Sequence, residues 1–146
     1  MIKLGVELVP KTSWCSNVRS EVTKSEWDII RKKCYSNANH KCEVCGGVGK
    51  KHPVECHEIW EYNDITHEQT LTGLIALCPN CHEVKHAGLA QIRGRLGAVI
   101  NHMSRVNKLS KIETEQLLVK AFNEYHVRSE HEWVISISYI QDYLKE

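Results

Sequence analysis

Apolar positions recur with the helical period in several separate stretches of the chain. Trp27, Ile30 and Cys34 fall at helical spacing with Arg31, Lys32 and Lys33 between them, and Thr23 with Glu26 forms a capping box just ahead. The pattern predicts a helix over about 24–36. Val99, Met103 and Val106 predict another. Ser110 and Glu113 make a second capping box, opening a helix whose Ile112, Leu117, Leu118, Ala121, Phe122 and Tyr125 form an amphipathic stripe. Trp133, Ile135, Ile137 and Tyr139 alternate with other residues, which predicts a strand followed by a short terminal helix.

Between the first two of these helices the pattern changes. "HKCEVCGGVGKKHP" holds a cysteine pair, glycines and a proline, and reads as a turn leading into a strand. "VECHEIW", residues 54–60, is β-branched and aromatic enough for a short strand. "EYNDITHEQT", residues 61–70, reads as a polar loop. The apolar run "LTGLIAL" leads into a second cysteine pair, and "HEVKHAGLA" opens a helix after Pro79 and Asn80. Residues 1–22 carry no clear period, and no repeat, low-complexity segment or domain boundary interrupts the chain.

The length of 146 residues suits one domain with a core of its own, so stability need not rest on a metal alone. No run approaches the roughly 18 apolar residues of a membrane span. The first residues, "MIKLGVELVPKTSW", lack the apolar core of a secretory signal. The expectation is a soluble, cytoplasmic protein. Its seven cysteines are an odd count, which disfavours a fully paired disulfide framework and favours metal ligation by close pairs.

The formal net charge is only +1, but it is unevenly spread. Residues 52–83 contain acids and no Lys or Arg, whereas residues 84–112 contain Lys85, Arg93, Arg95, Arg105, Lys108 and Lys111 and no acid. Such a strip either grips phosphates or forms a solvated helix face.

Cys42-x2-Cys45 and Cys78-x2-Cys81 are two knuckles, each able to point both sulfurs at one tetrahedral ion, and thiolates are the ligands that zinc prefers in closed sites. The 32 residues between them leave room for the "VECHEIW" strand. Cys15, Cys34 and Cys56 are left over, and Cys34, on the apolar stripe of its helix, is expected in the core together with Trp27 and Trp60. Because four cysteines fill one site, His82 and His86 are free for a second. Four residues apart on a helix, their imidazoles share a face. His57, on the strand between the knuckles, makes a third, and three imidazoles leave coordination positions open for water and phosphate. His40, His52 and His67 fall in loops. "W..N.R", Trp14 with Asn17 and Arg19, either folds over the site or packs.

This order of a cysteine pair, a strand carrying a His motif and "LCPNCHEVKH" resembles the HNH endonuclease family, in particular its zinc-ribbon branch, whose ββα-metal core is laced by four cysteines. The wider stretches "ELVPKTSW", "NVR", "CEVCGG", "ECHEIWEY" and "VKHAGLA" look like a bacterial and phage group described as HNH-type nucleases. The match in motif covers about residues 42–86 and extends loosely over 7–107. The resemblance implies an α+β fold: a zinc-stapled ββα-metal core at about 38–90 with flanking helices, followed by a helix–strand appendage at about 108–146. It also implies hydrolysis of DNA phosphodiesters with a structural Zn²⁺ at Cys42, Cys45, Cys78 and Cys81 and a second divalent ion (Mg²⁺, Mn²⁺, Ni²⁺ or Zn²⁺).

By position, His82 and His86 match the family's helical metal ligands. Anchoring the strand motif on Ile59 makes His57 a ligand and Glu58 the general base. Shifting it by one makes Cys56 the ligand and His57 the base. Gly73 stands where the family has its central Asn. A neutral imidazole, with a pKa of about 6.5, is the better base near neutrality, whereas a three-His ion site favours His57 as ligand. His57 is therefore taken as the ligand, with Glu58 as acid–base group or as a partner that orients an imidazole. Lys85, Arg93, Arg95, Arg105 and Lys108 are then expected to hold nucleic-acid phosphates. The competing expectation is a zinc module that binds nucleic acid or a protein without cutting.

Overall fold

A long antiparallel hairpin organises the molecule, for which a computed structural model describes all 146 residues. Strand β1 (Glu55–Asn63) pairs with β2 (Glu68–Leu77), from Glu55 opposite Leu77 to Asn63 opposite Glu68. The segment expected as a loop therefore supplies the outer third of each strand and the turn between them. Its polar residues are compatible with pairing because an antiparallel strand needs to bury only one face. Asn63 closes the turn: its side-chain oxygen accepts the N–H groups of Ile65 and Thr66, both at 3.0 Å, and His67 turns back through a positive φ of 57°. The register shifts between Ile59 and Trp60, opposite Gly73 and Leu71. A Cβ on Gly73 would meet the Ile59 side chain at 3.4 Å, an ordinary contact distance, so the strand pairing itself does not demand glycine there.

Helix α1 (Val18–Glu21) and helix α2 (Lys24–Asn37) precede the hairpin. The Thr23–Glu26 capping box forms as expected, and Cys34 is buried. Trp27 and Trp60 are half-buried and pack on a small core of Val18, Ile30, Leu71, Ile140 and Tyr143. After β2 come α3 (Pro79–Lys85), α4 (Ala87–Ile92) and α5 (Leu96–Asn107). The expected single helix through "HEVKHAGLA" is instead two, because the backbone of His86 leaves helical geometry at φ −106°, ψ 46°. These helices, with Leu4 and Leu118, enclose the larger core, which includes Cys42, Cys78 and Cys81.

The C-terminal segment is joined to the sheet. Helix α6 (Lys111–Arg128) begins at the Ser110–Glu113 capping box and meets α5 through Ser104 and Thr114, whose hydroxyls are 2.8 Å apart. Strand β3 (Val134–Ser136) then pairs parallel with β2, giving the sheet order β1-β2-β3. The alternating pattern predicts a longer strand, but the chain turns into α7 (Tyr139–Lys145) after three residues. Burial of Ile140 and Tyr143 beside Ile30 takes precedence over local alternation. Arg128 grips Asp64 with two hydrogen bonds, at 2.9 and 3.1 Å, and lies over the Tyr62 ring. The result is a mixed α+β fold with a three-stranded sheet, and no helix is long and apolar enough to cross a membrane.

The N-terminal segment has almost no regular structure before residue 18, yet it is tied down. Asn107, buried at the end of α5, accepts the N–H groups of Lys3 (2.8 Å) and Leu4 (2.9 Å) and donates to the carbonyl of Leu4 (2.8 Å). One side chain thus satisfies three backbone groups of a segment that has no ladder of its own. Asn107→Ala leaves those groups without partners, and a loss of about 3 kcal/mol in unfolding free energy is expected from urea titration.

Candidate metal centres

Two groups of metal-ligating side chains meet at α3. In the first, the sulfurs of Cys42, Cys45, Cys78 and Cys81 all lie within 4.8 Å of one another. The first knuckle turns through Gly46, at a φ of 76°, with the Gly46 N–H donating to the Cys42 carbonyl at 2.9 Å. It is fastened to the end of β2 by Glu43, whose N–H reaches the Ala76 carbonyl and whose carboxylate accepts the Ala76 N–H. Behind it the loop runs so close to α3 that a Cβ on Gly49 would lie 2.7 Å from the Pro79 ring. The second knuckle is the start of α3 itself: Cys78 is the N-cap, Pro79 follows, and the Cys81 N–H points at the Cys78 sulfur.

This donor set fits zinc. Sulfurs bound at about 2.3 Å to one tetrahedral ion lie about 3.8 Å apart, and those of Cys45 and Cys78 are separated by 3.6 Å. All seven cysteines are free thiols. Burial pushes the Cys78 and Cys81 thiols up. Burial acts the same way on Cys42, but backbone N–H groups from Cys45 and Cys78 outweigh it and bring that thiol down to about 7. A cation is what allows such a crowded sulfur cluster to ionise fully. His102 of α5, absent from the motif, places its Nε2 3.1 Å from the Cys81 sulfur.

The second group is His57, His82 and His86, with ligand nitrogens again within 4.8 Å of one another. His57 sits on β1 with its side chain 6 % exposed, His82 is on α3 and His86 ends that helix. Their rings meet edge to face, with centroids 4.7 to 5.4 Å apart. His82 Nε2 and His86 Nε2 are 3.0 Å apart, close to the roughly 3.3 Å expected for nitrogens on one tetrahedral ion. Burial, with help from the neighbouring imidazoles, lowers the pKa of His82 and takes that of His86 to about 4. Neutral rings are the form that binds metal.

Carboxylates orient two of the rings. Glu55 Oε1 lies 3.1 Å from His82 Nδ1, which leaves His82 Nε2 free for an ion. Glu7 Oε2 lies 2.9 Å from His57 Nε2, and its other oxygen accepts from Lys85 Nζ at 2.9 Å. Burial opposes the charge on Glu7, yet His57 and Lys85 together hold its pKa below the usual value. A carboxylate on the far nitrogen of a ligating His is the common arrangement at metal sites. Glu7 is marked by no local spacing, being fifty residues from its partner His57, whereas Glu55 stands in the strand motif two residues before His57.

Glu58, expected as the acid–base group, is not among the imidazoles. It lies toward α1, where its carboxylate accepts the Val18 N–H at 3.3 Å, and burial raises its pKa. Strand alternation explains the separation: Cys56, packed on the core that contains Cys34, and Glu58 point to α1 and α2, whereas His57 points to α3. All three imidazoles and Glu58 nonetheless line one cavity of about 1120 Å³ that also takes in Trp14, Asn17 and Arg19. Trp14 stacks on Tyr125, with ring centroids 6.2 Å apart, and Asn17 caps α1.

The expected basic strip is divided. Lys85 is buried on Glu7, and Arg95 makes two hydrogen bonds to Glu83. Arg93, Arg105 and Lys108 are exposed. None of the five lines the cavity that holds the imidazoles.

Cys81→Ser is expected to abolish zinc retention and unfold much of the chain, since structural zinc contributes on the order of 10 kcal/mol. His82→Ala is expected to keep one zinc per chain and lose a second divalent ion. Elemental analysis after gel filtration reads both.

In comparisons with protein-family models, curated proteins and solved structures, none matched the chain, so its metal-binding chemistry rests on these two clusters.

Proposed function

We propose that the protein is a metal-dependent endonuclease of the HNH type, hydrolysing phosphodiester bonds in DNA with a ββα-metal core formed by β1, β2 and α3. One observation carries this reading: a three-imidazole group, separate from the four cysteines, lines a large open cavity. A closed four-sulfur site suffices for folding, whereas three ligands beside open space suit catalysis.

The donor set fits a divalent ion held by His57, His82 and His86, which would supply Lewis acidity to a phosphodiester oxygen. The residues of the chain do the rest. Glu7 and Glu55 hold the His57 and His82 rings in orientation. Lys85 neutralises the second oxygen of Glu7, so that carboxylate stays fixed beside His57. Glu58, from the other side of the β1 edge, is the proposed acid–base group. Its raised pKa moves toward the range in which a carboxyl group can both accept and return a proton near neutrality.

A second reading is supported by Gly73 in place of the family's Asn and by the distinct settings of Glu58 and the imidazoles: a zinc module that contacts nucleic acid or a protein without cutting. Plasmid nicking with Mg²⁺, Mn²⁺, Ni²⁺ or Zn²⁺ separates the two. For the nuclease, His57→Ala is expected to abolish nicking while retaining its four-cysteine zinc, and Glu58→Gln to slow it about 100-fold or more. Glu7→Gln is expected to weaken binding of the second metal by about 10-fold. Absence of nicking with every metal, from protein that carries both ions, supports the module.

A further inference from the structure

A second cavity, of about 740 Å³, lies between α2 and the start of β1. It is lined by Arg19, Lys24 and Arg31, together with Tyr35, His40 and His52 among others. Arg19, Trp27, Cys56 and His82 belong to both cavities, so this cationic groove opens directly onto one of the three imidazoles. Its own acids are engaged: Asp28 pairs with Arg31 at 3.0 Å, and Glu55 pairs with His82 and His52. Arg19 and Lys24 are exposed and make no ion pair.

We propose that this groove is the track for a nucleic-acid strand, with backbone phosphates held by Arg19, Lys24 and Arg31 on the way to the imidazole cluster. The proposal rests on the nuclease reading and changes where its substrate lies. Lys24, Asp28, Arg31 and Tyr35 follow the helical repeat and share one face of α2. From Lys24 to Arg31 the helix rises about 10 Å, so the two cations can reach different phosphates of one strand. In the rival stretch, residues 84–112, the cations lie outside both cavities. Lys85 and Arg95 are ion-paired, as Arg31 is with Asp28, but none of Lys85, Arg93, Arg95, Arg105 or Lys108 lines either cavity, whereas Arg19, Lys24 and Arg31 do. A polyanion matches the groove because three cations line a cavity whose wall includes His82 of the imidazole group.

The test is the salt dependence of binding to fluorescein-labelled DNA, read by anisotropy, for the full chain loaded with zinc. The triple variant Arg19→Ala, Lys24→Ala, Arg31→Ala is expected to weaken binding on every sequence and to flatten the log–log salt slope by roughly 2 to 3 units. The triple variant Arg93→Ala, Arg105→Ala, Lys108→Ala is expected to leave the slope unchanged. Should the first variant fail to fold, Arg19→Glu and Lys24→Glu singly are expected to weaken binding in the same assay. The opposite pattern, with the slope lost only in the second variant, overturns the track while leaving the nuclease reading intact. A wild-type protein that binds no DNA at low salt overturns the track and the nucleic-acid reading together.

Discussion

The fastening of α3 to the hairpin is the constraint on which the rest depends. This seven-residue helix carries Cys81, His82 and the residues leading to His86, and its N-cap is Cys78. A helix so short has little stability of its own. Glu43 ties the first knuckle to β2, Gly49 lets the loop touch Pro79, and the four sulfurs converge at the point where β2 becomes α3. An ion held there would fix the rotation and position of the helix. Once they are fixed, His82 and His86 face the ring of His57 on β1.

The two metal groups differ as their settings require. Three of the four cysteines are buried, inside the larger core, where a structural ion would be shielded and its ligands hard to exchange. The three imidazoles stand at the edge of the sheet, beside open space, with carboxylates behind two of them. Burial lowers the proton affinity of His82 and His86, so the site is ready for a cation and disfavours protons. The chain thereby separates a buried four-sulfur group from a three-imidazole group beside open space.

The peripheral segments bear on the same region. Asn107 and Leu4 hold the N-terminal segment in place, and three residues further on that segment delivers Glu7 to His57. Trp14, stacked on Tyr125 of α6, forms part of the cavity wall. The C-terminal helix–strand segment, which looks like an appendage from its position in the chain, supplies the third strand and a wall of the cavity.

Local rules account for much of this. Helices α2 and α6 announce themselves by capping boxes and apolar period, and the two Cys-x2-Cys pairs carry their ligand geometry in their spacing. His57, His82 and His86 are legible as a group because the knuckles must bring strand and helix together. Other features depend on contacts between distant residues, and no local spacing encodes them. Polar residues 61–70 became strands because cross-strand hydrogen bonds and one covered face were enough. The 133–139 stretch stopped being a strand where Ile140 and Tyr143 found a core. Glu7 reaches His57 and Lys85 only in the folded chain, and the same folding consumes the charge of Lys85 and Arg95 in ion pairs. The sequence by itself therefore determined which side chains can bind metal. Tertiary structure decided which carboxylates stand behind them and which cations stay free, because both depend on segments that meet only after folding.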